Sequence, residues 1–476
     1  DRLGKSPDWI ELENISEQAV ALMDFGLSDD PDTPAKSKFL SGTLAPGASI
    51  VVFASGRPER SAGKEFHVDF KLSADGDLVI ITGPEGIVND SVDVLPTTLA
   101  NVSQGRLAAD PTQWLFFAES TPDRPNPASG FESIAEPIAF SHEAGYYPEP
   151  FALALTAGPG SEVRYTLDGD EPSALAALYE EPLDVHDRSG EPNGISMIEG
   201  TSTANQHTDG WFPPRGLVPK AFSVRARAFR AGSLPGPIIT RTFFVGLDPA
   251  TKWQLPVIAL TSPPDGLFDY EDGIYMLGKI FDDHRAANPT ERLTGHTSAN
   301  YTQRGSAWGR SGYFEFFEAD GSLGIRQNVT LDIQGQSSRS FRQKSLGLSP
   351  EGNLSPSSTF KYPFFKGLQR RGLGGERDEF AGLRLRNSGN DWNFTMMRDA
   401  LAHRLVAPLG IDVMTSRAVA VFLNGEFWGL YNLREQGDIE SIAEHYGVPK
   451  NDIVMAESDG VFKEGDPNAA SSYREL

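Results

Sequence analysis

The sequence predicts a multidomain, mainly β protein: two β-sandwich segments followed by an α+β segment at the C-terminal end. Three observations lead there. The chain has 476 residues, the length of about three domains at roughly 150 residues each. It carries 48 Gly, 34 Pro and 29 Phe, a usage suited to many short strands and turns. Short apolar runs are separated by Asp, Gly and Pro clusters over the first half, and a helical periodicity is found near residue 400.

Composition narrows the function classes. Charged residues at 22% and hydrophobic ones at 39% describe a globular chain rather than a disordered one. The balance of 42 basic against 65 acidic residues gives −23. Such a surface repels nucleic acid and anionic lipid, so neither is an expected partner. No apolar run approaches the ~18 residues of a membrane helix, so no membrane span is expected. The absence of cysteine removes disulfides, thiol nucleophiles and Cys-ligated metals, and suits an extracytoplasmic bacterial protein. The eight His never pair at metal spacing. Phosphate-loop, zinc-protease and serine-hydrolase motifs are also missing.

The first segment, residues 1–121, places strands at Trp9–Leu12, Ser49–Ala54 and Leu78–Ile81, with Trp9 as a core residue. Asp29, Asp30 and Asp32 lack the spacing of a calcium loop and read as a solvated turn. Asp8-Trp9-Ile10-Glu11-Leu12, Gly26 to Asp30, Pro46-Gly47 before Val51 to Gly56, and Phe70 to Ser73 before Asp75-Gly76 resemble the lamin-tail domain of bacterial surface proteins. That resemblance implies an immunoglobulin-like sandwich without chemistry. The strand that normally precedes its Asp-Trp motif is missing here, and the chain opens at Asp1, so a truncated N-terminus is expected.

Pro122 to Pro127 opens a Pro-rich linker, 122–135, expected to be stiff and extended. The second segment, 136–248, runs a strand into the Asp168-Gly169 turn. Another strand at Val224–Phe229 alternates apolar and basic residues, as a half-exposed strand does. Gly145-Tyr146-Tyr147, Tyr165 to Pro172 and Phe222 to Phe229 resemble the accessory domain at the C-terminus of chitobiase and β-hexosaminidase. The resemblance implies a second immunoglobulin-like sandwich, and it makes Asp168, Asp170 and Glu171 turn residues rather than glycosidase acids. The Ser-, Thr- and Gly-rich insertion Asp187 to Gly216, with Trp211 and Phe212, either carries binding or closes over the sandwich.

The third segment, 255–476, places strands at Val257–Leu260, Tyr313–Phe317 and Val329–Ile333. A helix is expected from near Asn393 to Leu409, capped by Asn393 or Thr395, with Met397, Leu401 and Leu405 on one face. Gly410 supplies the left-handed stop. Ala418–Leu423, Asn424-Gly425 and Glu426–Leu433 form a hairpin with a two-residue turn.

Gly335 to Arg339, Gln343 to Leu346, Tyr362 to Phe365, Leu383 to Asn387, Met397 to Leu401, and Leu423 to Tyr431 ending at Glu435 resemble the CotH (spore coat protein H) family of atypical secreted kinases. The resemblance implies a kinase-like domain that transfers the ATP γ-phosphoryl group to protein Ser or Thr, with ATP and Mg²⁺ as cofactors. Such transfer relies on positioning and charge neutralisation. The resemblance assigns Lys344 to the nucleotide phosphates, with Arg339 adding charge beside it. Without the resemblance, a lone lysine in a polar strand is a structural residue.

Asp399, on the helix, is the candidate partner of Lys344; its plainer role is a first-turn acid against the helix dipole. Glu435 has three open roles: an adenine-side contact, a hinge contact, or a second phosphate-site acid. Beyond it stand Asp438, Asp452, Asp459 and Asp466, none in the Asp-x-Asp context that the family uses for metal and acceptor. The chain is therefore expected to lack a last lobe, to hold nucleotide poorly, and to transfer nothing by itself. The complete protein is expected at the bacterial cell surface or outside it, acting on a protein substrate. The alternative is a non-catalytic adhesion or matrix-assembly role with a surface, matrix or carbohydrate partner.

Overall fold

The computed structural model describes residues 7–465 apart from 74, 98, 100, 249–251, 253, 352–357, 372–373, 411–412 and 458–460. Asp459 and Asp466 lie outside the described residues. Contacts divide the chain into two compact units. The first comprises residues 1–136, 158–161 and 228–237, and the second 137–157, 162–227 and 238–476. The chain is mainly β.

In the first unit the principal strands are β1 (Asp8–Glu13), β2 (Gly26–Ser28), β3 (Ser37–Lys38), β4 (Ser49–Ala54), β5 (Phe66–His67), β6 (Asp77–Thr82) and β7 (Val88–Val94). They form the sheets β1-β4-β5 and β3-β2-β6-β7. Both contribute to one core of Leu22, Leu27, Phe39, Val52, Phe70 and Val79. Alternation along β1 sends Ile10 and Leu12 towards that core. It leaves Trp9 half-buried, so Trp9 is not the core residue expected. Asp29 pairs with Lys36 at 2.9 Å, and an Asp30 carboxylate oxygen accepts the Asp32 N–H. The Pro-rich stretch is not free: Asp123 N–H donates to Glu11 Oε1 at 2.9 Å and Asn126 Nδ2 to the Arg106 carbonyl at 2.9 Å.

The second unit holds a five-stranded sheet and a barrel. β8 (Gly145–Tyr147), β9 (Ser161–Thr166), β10 (Ala177–Leu178), β11 (Phe222–Arg230) and β12 (Ile239–Val245) pair in the order β8-β12-β11-β9-β10. Asp168-Gly169 does not make a tight hairpin, because the strand that returns against β9 begins at Ala177. β11 is buried on both faces rather than half-exposed. Arg225, 6% exposed, donates from Nη1 to the Gly169 carbonyl at 2.8 Å.

The barrel strands are β13 (Val257–Thr261), β14 (Arg310–Phe317), β15 (Leu323–Gln334), β16 (Ser345–Pro350), β17 (Leu383–Arg386), β18 (Ser416–Leu423) and β19 (Glu426–Glu435). They close in the order β13-β14-β15-β16-β17-β19-β18. The closing pair is parallel, with Val257 opposite Ala420 and Leu260 opposite Leu423. Ile258, Phe314, Leu331, Leu346, Leu385, Val421 and Leu433 fill the interior. Outward-facing Val257, Ala259, Phe317, Ala420 and Phe422 share a second core with Ala144 and Phe244. The five-stranded sheet thus covers one sector of the barrel wall.

Around the barrel lie α1 (Gly278–Ala287), α2 (Arg398–Val406) and α3 (Ile439–Tyr446). The hairpin turn is as expected: Asn424 (φ 45°) and Gly425 (φ 81°) are both left-handed. α2 starts later than expected and is capped differently. The Asp391 carboxylate accepts the N–H groups of Met397 and Arg398, each at 3.0 Å, and of the two expected caps Thr395 adds a longer bond, its Oγ1 accepting the Met397 N–H at 3.3 Å. A one-turn 3₁₀ segment, Ala407–Leu409, extends α2 to Gly410 at φ 75°. Its apolar stripe faces outward, with Met397, Leu401 and Leu405 all exposed. Among the described residues no helix is long and apolar enough to cross a membrane.

Candidate functional site

Lys344 immediately precedes β16 and is fully buried. Its ammonium donates to three carbonyls, those of Thr201 (2.7 Å), Arg339 (2.7 Å) and Phe341 (2.8 Å). That uses all three of its N–H donors. The rings of Tyr301 and Tyr275 lie 4.1 and 5.1 Å from Nζ. Burial pushes the Lys344 pKa well down, and the Arg339 charge adds to the shift. The carbonyl cage is what makes a buried amine tolerable there. Arg339, 4% exposed, is held by the carbonyls of Gly335, Tyr301 and Gln303. Its pKa is pushed down to about 10 by burial, with Arg304 adding and Asp332 opposing.

The insertion Asp187 to Gly216 builds part of this cage. Besides the Thr201 carbonyl, it supplies Ser202, whose hydroxyl donates to the Ser340 carbonyl at 2.5 Å, and Asn205, whose Nδ2 reaches Ser340 Oγ. Phe212 stacks on the Arg342 guanidinium at 3.3 Å, and Trp392 lies 4.7 Å from the same group. Glu426 at the start of β19 accepts the N–H groups of Gly194 and Ser196. The insertion therefore closes over the barrel's lysine corner, a placement that its polar composition did not reveal.

The expected Lys344–Asp399 pair is not formed. Asp399 Oδ2 lies 2.6 Å from Arg434 Nη2 and 3.1 Å from Arg386 Nε, and Oδ1 is 3.6 Å from His403 Nε2. The reason is strand alternation. Leu383, Leu385 and Leu433 point into the barrel, so Arg384, Arg386 and Arg434 point out, where Asp399 of α2 meets two of them. Asp332 and Gln334 continue the same outward face on β15. The signal was present as the strict Leu-Arg-Leu-Arg alternation of residues 383–386.

Glu435 belongs to a third place. It pairs with Nη1 of Arg377, whose Nη2 lies 3.0 Å from Glu444 and 3.2 Å from Ser441 Oγ. Arg377 is 1% exposed, so this network ties the end of β19 to α3. Lys344 and Arg339 are thus neighbours, whereas Asp399 and Glu435 each have other partners. Asp332 stands between two of these places. Burial raises its pKa, while Gln334 and the charges of Arg339, Arg384 and Arg304 pull it back. A cavity of about 180 Å³ beside it is lined by Arg304, Trp308, Asp332, Gln334 and Arg339.

Two stretches of the chain match known families. Residues 331–474 match the family model described as CotH kinase protein. The CotH match begins within β15 and includes Lys344, Arg339, the outward arginines, Asp399 and Glu435. It supports a CotH-type, kinase-like function for this stretch at the family level. Residues 153–243 match the model described as Fn3 associated, which contains the insertion that covers Lys344. No curated protein matches the chain.

The guanidinium groups around Asp332 and Asp399 have the donor chemistry that nucleotide phosphates need. Among the described residues, no three His, Asp or Glu converge as a metal site.

Proposed function

We propose that the CotH-matching segment is the nucleotide-handling part of an atypical protein kinase that passes the ATP γ-phosphate to Ser or Thr of a protein, with Mg²⁺ as co-factor. The observation that carries this reading is the CotH kinase match over residues 331–474. In this reading Lys344 and Arg339 serve the phosphates, and Asp399 and Glu435 supply acids. Lys344 engages a nucleotide only if it exchanges a carbonyl such as that of Thr201 for a phosphate oxygen. We place the protein at the bacterial cell surface or outside it, with lamin-tail-like and chitobiase-accessory-like modules preceding the kinase-like segment. The test is phosphate transfer from labelled ATP by the full-length protein, wild type against Lys344→Ala, with folding checked by circular dichroism. Transfer should be lost in a folded variant; equal transfer by both overturns the role of Lys344.

A second reading is a non-catalytic adhesion or matrix-assembly protein with a protein or carbohydrate partner. It is favoured by the occupied donors of Lys344 and the engagement of Asp399 with arginines. No ATP turnover by the full-length protein, together with retained binding to a surface or matrix partner, selects it.

A further inference from the structure

The outward face of β17 and β19 carries three arginines, of which Arg386 and Arg434 share one ion-paired carboxylate, Asp399. Arg384 and Arg434 stand directly opposite each other in the β17–β19 register, and Arg386 follows opposite Asn432. Arg434 is only 2% exposed. Its Nε and the Nε of Arg384 are buried without a hydrogen-bond partner, while its Nη2 and the Nε of Arg386 share a single carboxylate oxygen, Asp399 Oδ2.

Asp399 is within ion-pair distance of Arg386 and Arg434, but its Oδ2 also lacks a well-aligned hydrogen bond. No ion pair reaches Arg384 among the described residues. The nearby carboxylates are engaged elsewhere: Asp332 accepts from Gln334, and Asp438 caps α3 by accepting the Ser441 N–H at 2.8 Å. Buried donors without acceptors are costly. Burial and the mutual repulsion of the three cations also push the Arg434 pKa down, with Asp399 opposing. Asp399 is the one carboxylate ion-paired with these guanidinium groups among the described residues, Asp332 and Asp438 acting on Arg384 only through space, and a planar fork matches phosphate as well as carboxylate.

We propose that Arg384, Arg386 and Arg434 form a binding site for a phosphate group, with Asp399 as the resident anion that the phosphate displaces. The phosphate belongs either to a nucleotide or to a phosphorylated side chain of a protein. The site stands whether or not this segment transfers phosphoryl groups, because it needs neither Lys344 nor a metal.

The test is calorimetric titration of the full chain with inorganic pyrophosphate at constant ionic strength, repeated with ADP and O-phosphoserine. Saturable binding is expected. Arg386→Gln, at a partly exposed position, should weaken it by about tenfold, the value of one charge-assisted hydrogen bond. Asp399→Asn should tighten it by removing the competing anion, a gain that damage to the fold would not produce. Binding of ADP tighter than pyrophosphate assigns the site to nucleotides, and phosphoserine binding without any ADP preference assigns it to phosphoproteins. Absence of binding, or binding unchanged by both substitutions, overturns the proposal. Pyrophosphate binding without ATP turnover would sink only the kinase reading, whereas turnover without pyrophosphate binding would sink only this site.

Discussion

Lys344 and Thr201 are 143 positions apart in sequence, and the ammonium of one donates to the carbonyl of the other at 2.7 Å. The bond joins the Fn3-associated stretch to the CotH-matching stretch at the residue that sequence resemblance marks for nucleotide. Stability and accessibility of that lysine are therefore coupled to a loop outside the CotH match.

Lys344→Met should destabilise the second unit by about 3 kcal/mol, since three buried carbonyls lose their donor. Ser202→Ala should cost about 1 kcal/mol, the value of one hydrogen bond. Urea denaturation of both variants measures this. A midpoint for Lys344→Met equal to wild type would remove the structural role of the cage.

Glu315 on β14 is fully buried, and neither carboxylate oxygen has a well-aligned hydrogen bond. Burial raises its pKa from 4.5 to about 7, although Thr242, Arg241 and Arg326 pull the other way. The folded state thus holds the proton more tightly than the unfolded state. Its contribution is fully present below about pH 4.5, falls as pH rises, and is lost above about pH 7, a change of roughly 3 kcal/mol. Glu315→Gln should flatten that slope and raise the melting temperature at pH 8. A wild-type melting temperature that climbs steadily between pH 5 and 7, unchanged in the variant, would contradict this account.

Two leucines should separate the barrel core from the stripe on α2. Leu385 is 0% exposed inside the barrel, and Leu405 is 68% exposed. Leu385→Ala should cost about 2–5 kcal/mol through lost burial and a cavity, while Leu405→Ala should stay within about 0.5 kcal/mol. Chemical denaturation compares them, and equal losses would mean that the α2 stripe is covered in solution.

Gly425→Ala should destabilise the β18–β19 hairpin by about 1–3 kcal/mol. A side chain there meets φ 81°, and its Cβ would lie 2.7 Å from the Ala221 carbonyl. Hydrogen exchange at Ala221, whose N–H donates to the Gly425 carbonyl at 2.7 Å, reports the change. Unaltered protection with an unaltered melting temperature would refute it.

Local patterns were legible where neighbours in sequence carry the physics. Short apolar runs bounded by turn residues marked β4, β6, β13 and β18, and Asn424-Gly425 and Gly410 marked their own backbone conformations. The same local view misjudged Trp9 and the strand at Val224–Phe229. Which face of a strand is covered depends on what packs there from elsewhere. It also paired Asp399 with Lys344, although both lie in the expected order along the chain, because it could not weigh Arg434 as a competitor.

The sequence by itself determined a mainly β, strongly acidic, cysteine-free chain whose C-terminal stretch carries the CotH pattern. Those properties follow from composition and from spacings of a few residues. Only the tertiary structure decided that the barrel closes through a parallel pair 163 residues apart (Val257 with Ala420), that Thr201 caps Lys344, and that Arg386 and Arg434 meet at Asp399. Each of these depends on side chains brought together by strand register and alternation, and register is set by the packed core as a whole.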